Sequence, residues 1–292
     1  MLEFQPPFVR HRRPYAFPMR NIPLSTVDAT PRIVLAIGTD YPPGTLLPTH
    51  AHRRAQLLYG MTGLMEVETA DGNWVIPPYS GVWIPAGQPH QVRMQGVSTR
   101  SLYIVPEAAP RHAQHCEVLV ITPLLHQLLL ASADLPAQYD EQGRDGALVQ
   151  LILHEVRASP TMPLFAPMPN DPALARLCKA FLRRPSLRSP PEDWAASLNK
   201  SPRTFTRLFR QQTGMSFSQW RQQACLMAAL ARLSVAGASV TRIALDLGYD
   251  SPSAFSTMFR RKLGQAPSDF LKEGAASATP GHSQSSTPPP AD

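Results

Sequence analysis

The chain has 292 residues, with 28 Lys and Arg against 21 Asp and Glu, and a net charge of +7. That length suits two ordinary domains; no run approaches the roughly 18 apolar residues of a membrane span, and "MLEFQPPFVRHRRPYAF" lacks the apolar core and cleavage site of a secretory leader. Three widely spaced cysteines, Cys116, Cys178 and Cys225, make no disulfide framework and predict a cytoplasmic protein.

In chain order, residues 1–24 form a basic arm containing "RHRRPYAFPMR". Residues 25–110 follow as short β-rich runs ("RIVLAIG", "AQLLYG", "LMEVETA", "GVWIPA", "SLYIV") broken by Pro and Gly turns. Asp71-Gly72 is a hairpin signal, and strands at this spacing predict a sandwich or a barrel. His50 and His52 stand two apart, so on a strand both face one side, and Arg54 shares their parity. Within residues 111–160, "TPLLHQLLLASA" and "GRDGALVQLILHEVRA" have helical spacing and apolar faces carrying Leu124, Leu125, Leu128, Leu129, Leu148, Leu151, Ile152 and Val156. Residues 161–170 are read as a linker, 171–272 as wholly helical, and 273–292 as a low-complexity, disordered tail.

Charge divides unevenly along this order. Residues 171–272 hold 16 basic and 6 acidic side chains, a net +10, whereas residues 1–170 come to −1. A basic domain beside a near-neutral one points to a polyanion, nucleic acid first.

The basic third repeats itself. "SPRTFTRLFR" at 201 and "SPSAFSTMFR" at 251 share Ser, Pro, Phe, Phe and Arg at an offset of 50, and Gly214 and Gly264 keep the register. Ser-Pro supplies an N-cap and a proline at the first helical position. Two phenylalanines four apart mark a buried face. A short helix ("EDWAASL", "VTRIALDL") and a tight turn precede each copy, which is the helix-turn-helix pattern. Between the copies, Ser216 to Ala236 reads as one helix of roughly 31 Å, close to the ~34 Å between successive major grooves.

With "SVTRIALDLGYDSPSAFSTMFRRKLGQAPSDF", these residues closely resemble the DNA-binding domain of the AraC/XylS family of bacterial transcription regulators. The resemblance implies recognition helices at Pro202–Gln212 and Pro252–Leu263. Arg203, Thr206 and Arg207 fall at base-reading positions of the first, with Thr204 beside them; Ser253 and Thr257 do so in the second, with Ser256 beside them. Arginine takes guanine bidentately, so the first helix has the stronger reading chemistry. Arg210, Arg260, Arg261 and Lys262 suit phosphates.

Many such regulators carry a cupin-like sensor, and "GTLLPTHAHRRAQLLYG" with "GVWIPAGQPHQV" resembles the two cupin motifs. The resemblance brings His50, His52, Gln56 and His90 together, with Gln56 where an acid is usual. Imidazoles suit Zn, Ni, Cu or Fe(II), but a metal-free polar effector pocket inside the barrel fits the same residues. An inward Arg54 would favour an anion. "RHAQHC" (His112, His115, Cys116) has ligand-like spacing without a fourth partner.

The expected protein is thus α+β: a cupin-like β-barrel with a helical dimerisation segment, then an all-α domain with two helix-turn-helix motifs. Its expected partners are operator DNA, a small-molecule or metal effector, a second copy of itself and, if it activates, RNA polymerase. No phosphate loop, nucleophile elbow or Cys-x-x-Cys pair supports an enzyme. A cupin metalloenzyme fused to a DNA-binding domain is the rival reading.

Overall fold

The structure, a computed structural model, describes residues 24–271 apart from 27 and 236. The basic arm and the tail expected at the two ends therefore lie almost entirely outside the described residues. The N-terminal half is built from β1 (Val34–Tyr41), β2 (Thr45–His50), β3 (Ala55–Gly60), β4 (Leu64–Glu68), β5 (Gly72–Ile76), β6 (Ser80–Ile84), β7 (His90–Gln95), β8 (Val97–Ile104) and β9 (Glu117–Val120). Helices α1 (Pro123–Ser132) and α2 (Arg144–Ala158) follow, then β10 (Thr161–Met162) and β11 (Phe165–Pro167). The C-terminal half is helical: α3 (Pro172–Arg183), α4 (Pro191–Ser197), α5 (Pro202–Thr213), α6 (Phe217–Leu233), α7 (Val240–Asp246) and α8 (Pro252–Leu263).

All strand pairing is antiparallel, in two sheets ordered β1-β8-β3-β6-β9-β10 and β11-β5-β4-β7-β2. The expected barrel is therefore corrected to two sheets without closure. β1 and β2 are consecutive yet do not pair, each ending a different sheet. The Pro42-Pro43 step between them offers no N–H to a ladder, and the chain crosses from one sheet to the other there. The inner faces bury Leu58, Val82 and Ile84 from one sheet against Met65, Val67, Ile76, Val92 and Met94 from the other. Apolar side chains fill the space where an interior ligand cavity was expected.

The outer face of the six-stranded sheet is covered by α1 and α2. Leu125, Leu129, Val149, Ile152 and Val156 are buried against Leu57, Tyr59, Trp83, Leu102 and Leu119. Much of the apolar surface read as a dimer face is thus consumed within the chain. Leu124 (49% exposed) and Leu151 (42%) remain outside.

Residues 161–170, expected as a linker, instead form a strap. β10 pairs with β9 at the edge of one sheet, and β11 pairs with β5 at the edge of the other. The same strap holds the helical half. The indole Nε1 of the fully buried Trp220 (α6) donates to the Pro167 carbonyl at 2.8 Å. Gln212 Oε1, at the end of α5, accepts from the amides of Asn170 (3.0 Å) and Asp171 (3.2 Å).

In the helical half, the repeat read from sequence is a structural repeat. Ser201 and Ser251 cap α5 and α8, each accepting from the backbone N–H three residues on, with proline at the first turn. Gly214 and Gly264 close them at φ 71° and 79°, where any Cβ would be strained. Phe205, Phe209, Phe255 and Phe259 are fully buried. The intervening helix is shorter than expected. α6 has 17 residues, hence about 25 Å, with Ser234 as its C-cap and Gly237 beyond it in the left-handed region at φ 76°.

Candidate functional site

One end of the sheet pair gathers the predicted histidines. His50 ends β2 and His90 begins β7, and they are register partners across that antiparallel pair. Direct cross-strand pairing brings their ring centroids to 4.4 Å. His52 lies in the loop after β2 rather than on a strand, so the same-face argument fails for it. The ladder also breaks between Leu47 and His50. His52 arrives by another route: its carbonyl accepts from the N–H of Gly87, in the turn before β7, at 2.9 Å. Gly87 has φ 74°, so the glycine of the second motif clamps the loop of the first. The ring of His52 stands 5.2 Å from that of His90 and 6.0 Å from that of His50.

Each imidazole is held through Nδ1 against a backbone carbonyl: His50 to Pro48 (2.8 Å), His52 to Arg54 (2.7 Å) and His90 to Gln88 (2.8 Å). A carbonyl only accepts, so each Nδ1 carries the proton and each Nε2 keeps its lone pair. That tautomer, fixed from outside, is the one a metal ligand needs. One nitrogen from each ring lies within 4.8 Å of the others. His90 is 1% exposed and its Nε2 is buried without a hydrogen-bond partner. Burial pushes the His90 pKa down to about 4 and lowers that of His52, so both rings are neutral at pH 7.

Gln56, on β3, completes the group from the other sheet. Its Oε1 is 3.0 Å from His52 Nε2, and its Nε2 donates to Ser101 Oγ and the Tyr103 hydroxyl, both at 3.1 Å. As oriented, the Oε1 and the His52 lone pair are two acceptors face to face, an arrangement that a shared cation satisfies. Rotating the amide end for end gives the metal-free alternative, a Gln56 N–H donating to His52.

Ser101 and Tyr103 were missed in the sequence. Their signal was polar residues at alternate positions of β8, on the face that meets Gln56.

Arg54 is buried but does not enter the histidine cluster. Its guanidinium is spent on Asp28 Oδ1 (2.9 Å) and on the carbonyls of Thr30 (3.0 Å) and Arg32 (2.9 Å). Arg53 binds the other oxygen of Asp28 at 2.7 Å. The carboxyl of Asp28 is held below its ordinary pKa by the two arginines against the opposing pull of desolvation. A cavity of about 610 Å³ opens onto the cluster, walled by Leu24, Asp28, Tyr41, Leu47, His52 and Tyr103. The size fits a small-molecule site.

The other histidines go elsewhere. His115 pairs with Asp71 (3.3 Å), and Cys116 is buried. His126 Nδ1 shares a hydrogen bond with the Tyr59 hydroxyl at 2.6 Å. Among the described residues, His50, His52 and His90 form the one group of three or more His, Cys, Asp or Glu with converging donor atoms.

In the helical half, Arg203, Thr206, Arg207 and Arg210 are exposed along α5, lining with Arg221 and Ser218 a groove of about 820 Å³. Ser253, Thr257, Arg260 and Arg261 are exposed on α8. Three hydroxyls in the set are already engaged locally: Thr204 with Ser201 (2.9 Å), Thr206 with the Arg203 carbonyl (3.1 Å) and Ser256 with the Pro252 carbonyl (2.9 Å). Two short, N-capped helices after tight turns, with bare arginines outward, define a double helix-turn-helix protein joined to a sensor domain.

Comparison with known proteins places the chain within that class. Residues 33–152 match the AraC-like ligand binding domain model and residues 194–273 a helix-turn-helix domain model. The HTH-type transcriptional regulator NimR of Escherichia coli is 31% identical over 224 residues, covering 77% of this chain and 82% of that protein. The HTH-type transcriptional activator RhaS of Klebsiella pneumoniae is 37% identical over 79 residues, 27% of this chain and 28% of its own. A crystal structure of ToxT from Vibrio cholerae aligns over 83% of this chain and 99% of that one, at 10% identity and a TM-score of 0.34. The chain belongs to the AraC family: it is a DNA-binding transcription regulator with an N-terminal ligand-binding domain, and these relatives are regulators rather than enzymes. No helix among the described residues is long and apolar enough to cross a membrane.

Proposed function

We propose that this regulator senses through a divalent transition metal (Zn, Ni, Cu or Fe) held by His50, His52 and His90, with Gln56 as a weak fourth ligand. The observation that carries the reading is the shared arrangement of the three rings: every Nδ1 is tied to a carbonyl, which leaves the Nε2 lone pairs for a common partner. His90 Nε2, buried and without a partner, would otherwise be a costly omission. A bound metal would supply a fixed positive centre. This chain's residues would orient the imidazoles, through Pro48, Arg54 and Gln88, and shield His90 from water.

Sensing, not turnover, suits the surroundings. The carboxylate lining this cavity among the described residues, Asp28, is engaged by Arg53 and Arg54, so it is not free to serve as a general acid or base. This disfavours the metalloenzyme reading. Arg203, Thr206 and Arg207 of α5, with Ser253 and Thr257 of α8, would read double-stranded DNA. Arg210, Arg260 and Arg261 would contact phosphates, with Thr204 and Ser256 serving their own helices. Leu124 and Leu151 would lie at a homodimer contact, in a cytoplasmic protein.

Metal can regulate only if it binds two arrangements of the protein unequally. The test is footprinting of DNA upstream of the regulator's own gene, using full-length chain stripped with EDTA and then reloaded with each metal. A footprint or affinity that changes with one metal supports the reading. Identical binding in all states contradicts it.

A further inference from the structure

The charges around the histidine cavity do not balance once a metal is present, and the imbalance selects the effector. All the protein donors are neutral, since an imidazole that ligates through its lone pair carries no charge and neither does the Gln56 amide. A divalent ion there keeps its full charge, where a carboxylate in place of Gln56 would remove part of it. The nearby fixed charges do not help. Asp28 is one acid shared by two guanidinium groups, those of Arg53 and Arg54. Those three groups sum to about +1 before any metal arrives.

We infer that the effector of this cavity is an anionic, oxygen-donor small molecule that completes the coordination of the histidine-bound metal; the inference rests on the metal reading above. Room exists on the open side. His50 is exposed whereas His90 is buried, so the cluster presents one side to the cavity of about 610 Å³. The histidines take three positions, and an outside ligand can enter by displacing the weakly held Gln56 or by expanding the coordination to five. The wall adds a donor: the Tyr103 hydroxyl accepts from Gln56, so its own proton stays available to an anion. Leu24, Leu47, Pro48 and Ala51 give an apolar wall for the body of the molecule. A small organic acid matches both halves, and its neutral amide matches only one.

Cobalt(II) makes the site visible. The full-length chain is loaded with Co(II), its visible ligand-field bands are recorded, and azide, benzoate and benzamide are each titrated in. Azide is small enough to reach any open metal position; benzamide is the neutral counterpart of benzoate. The expected result is a saturable change in the bands with azide and benzoate, and at least about tenfold weaker binding of benzamide, reflecting the charge in a partly desolvated site. Gln56→Glu, which places the missing charge on the protein, should weaken azide by about tenfold or more while still binding cobalt. Cobalt bands that neither anion moves, or that benzamide moves as readily as benzoate, overturn the inference and leave the metal site standing. Absence of cobalt bands overturns the metal reading and this inference with it.

Discussion

Trp220→Phe tests how the two halves are joined. The indole is fully buried, and its Nε1 donates to the Pro167 carbonyl on β11 at 2.8 Å. Phenylalanine keeps an aromatic ring among Phe181, Phe209 and Trp194, whose centroids lie 5.5–6.1 Å away. It removes the donor and leaves a buried carbonyl of the strap without that partner. Losing one partner of a buried hydrogen bond costs about 1–3 kcal/mol, and the smaller ring adds roughly 1 kcal/mol of cavity. A combined loss of about 2–4 kcal/mol should lower the urea midpoint of the helical half by about 1–2 M, given a slope near 2 kcal/mol per molar. Because Asn170 and Asp171 donate to Gln212 at the end of the strap, their amides should exchange hydrogen faster. The β1–β8 ladder should exchange as before. Parent-like exchange at 170 and 171 with an unchanged midpoint would refute the idea that this bond couples the strap to α6. Alanine is the wrong probe, since it would dismantle the aromatic cluster itself.

Other consequences are separable. Arg203→Ala should cost about 1–3 kcal/mol of operator binding and relax specificity, whereas Arg260→Ala should weaken all sequences alike and reduce the salt slope by about 1; fluorescence anisotropy at several salt concentrations distinguishes them. Leu124→Asp with Leu151→Asp should convert a dimer to monomer in sedimentation, at a folding cost within about 0.5 kcal/mol per exposed site. Burial pushes the thiols of Cys116, Cys178 and Cys225 up to about 12. With roughly one in ten thousand as thiolate at pH 8, iodoacetamide should label none of them until the chain is unfolded, as mass spectrometry would show.

The helical half was legible because its signals are local. Ser-Pro caps, a Phe pair four apart and a closing glycine each act within one helix, and the repeat at 50 residues states them twice. The histidine cluster was legible as a set, but not for the reason of strand parity. His52 sits in a loop whose place is fixed by Gly87, and His50 meets His90 through a cross-strand register that one sequence does not display. The strap was hidden by its composition. "SPTMPLFAPMPND" has the prolines of a linker, and its strands are only two and three residues long, too short for a period-2 pattern. Ser101 and Tyr103 were hidden because a polar residue on a buried strand face declares itself only when its partner, here Gln56 across β3 and β8, is known. The open sheet pair was hidden for a similar reason: closure depends on whether β1 and β2 meet, which no local pattern encodes.

Sensing at this cavity depends most on the three histidines holding a metal. The direct measurement is elemental analysis of full-length protein purified without a metal-affinity tag, beside His50→Ala/His52→Ala shown to be folded by circular dichroism. Near-stoichiometric Zn, Ni, Cu or Fe in the parent, lost in the folded variant, is the predicted result. A parent that contains none of these metals, and takes up none on incubation with each, would contradict it.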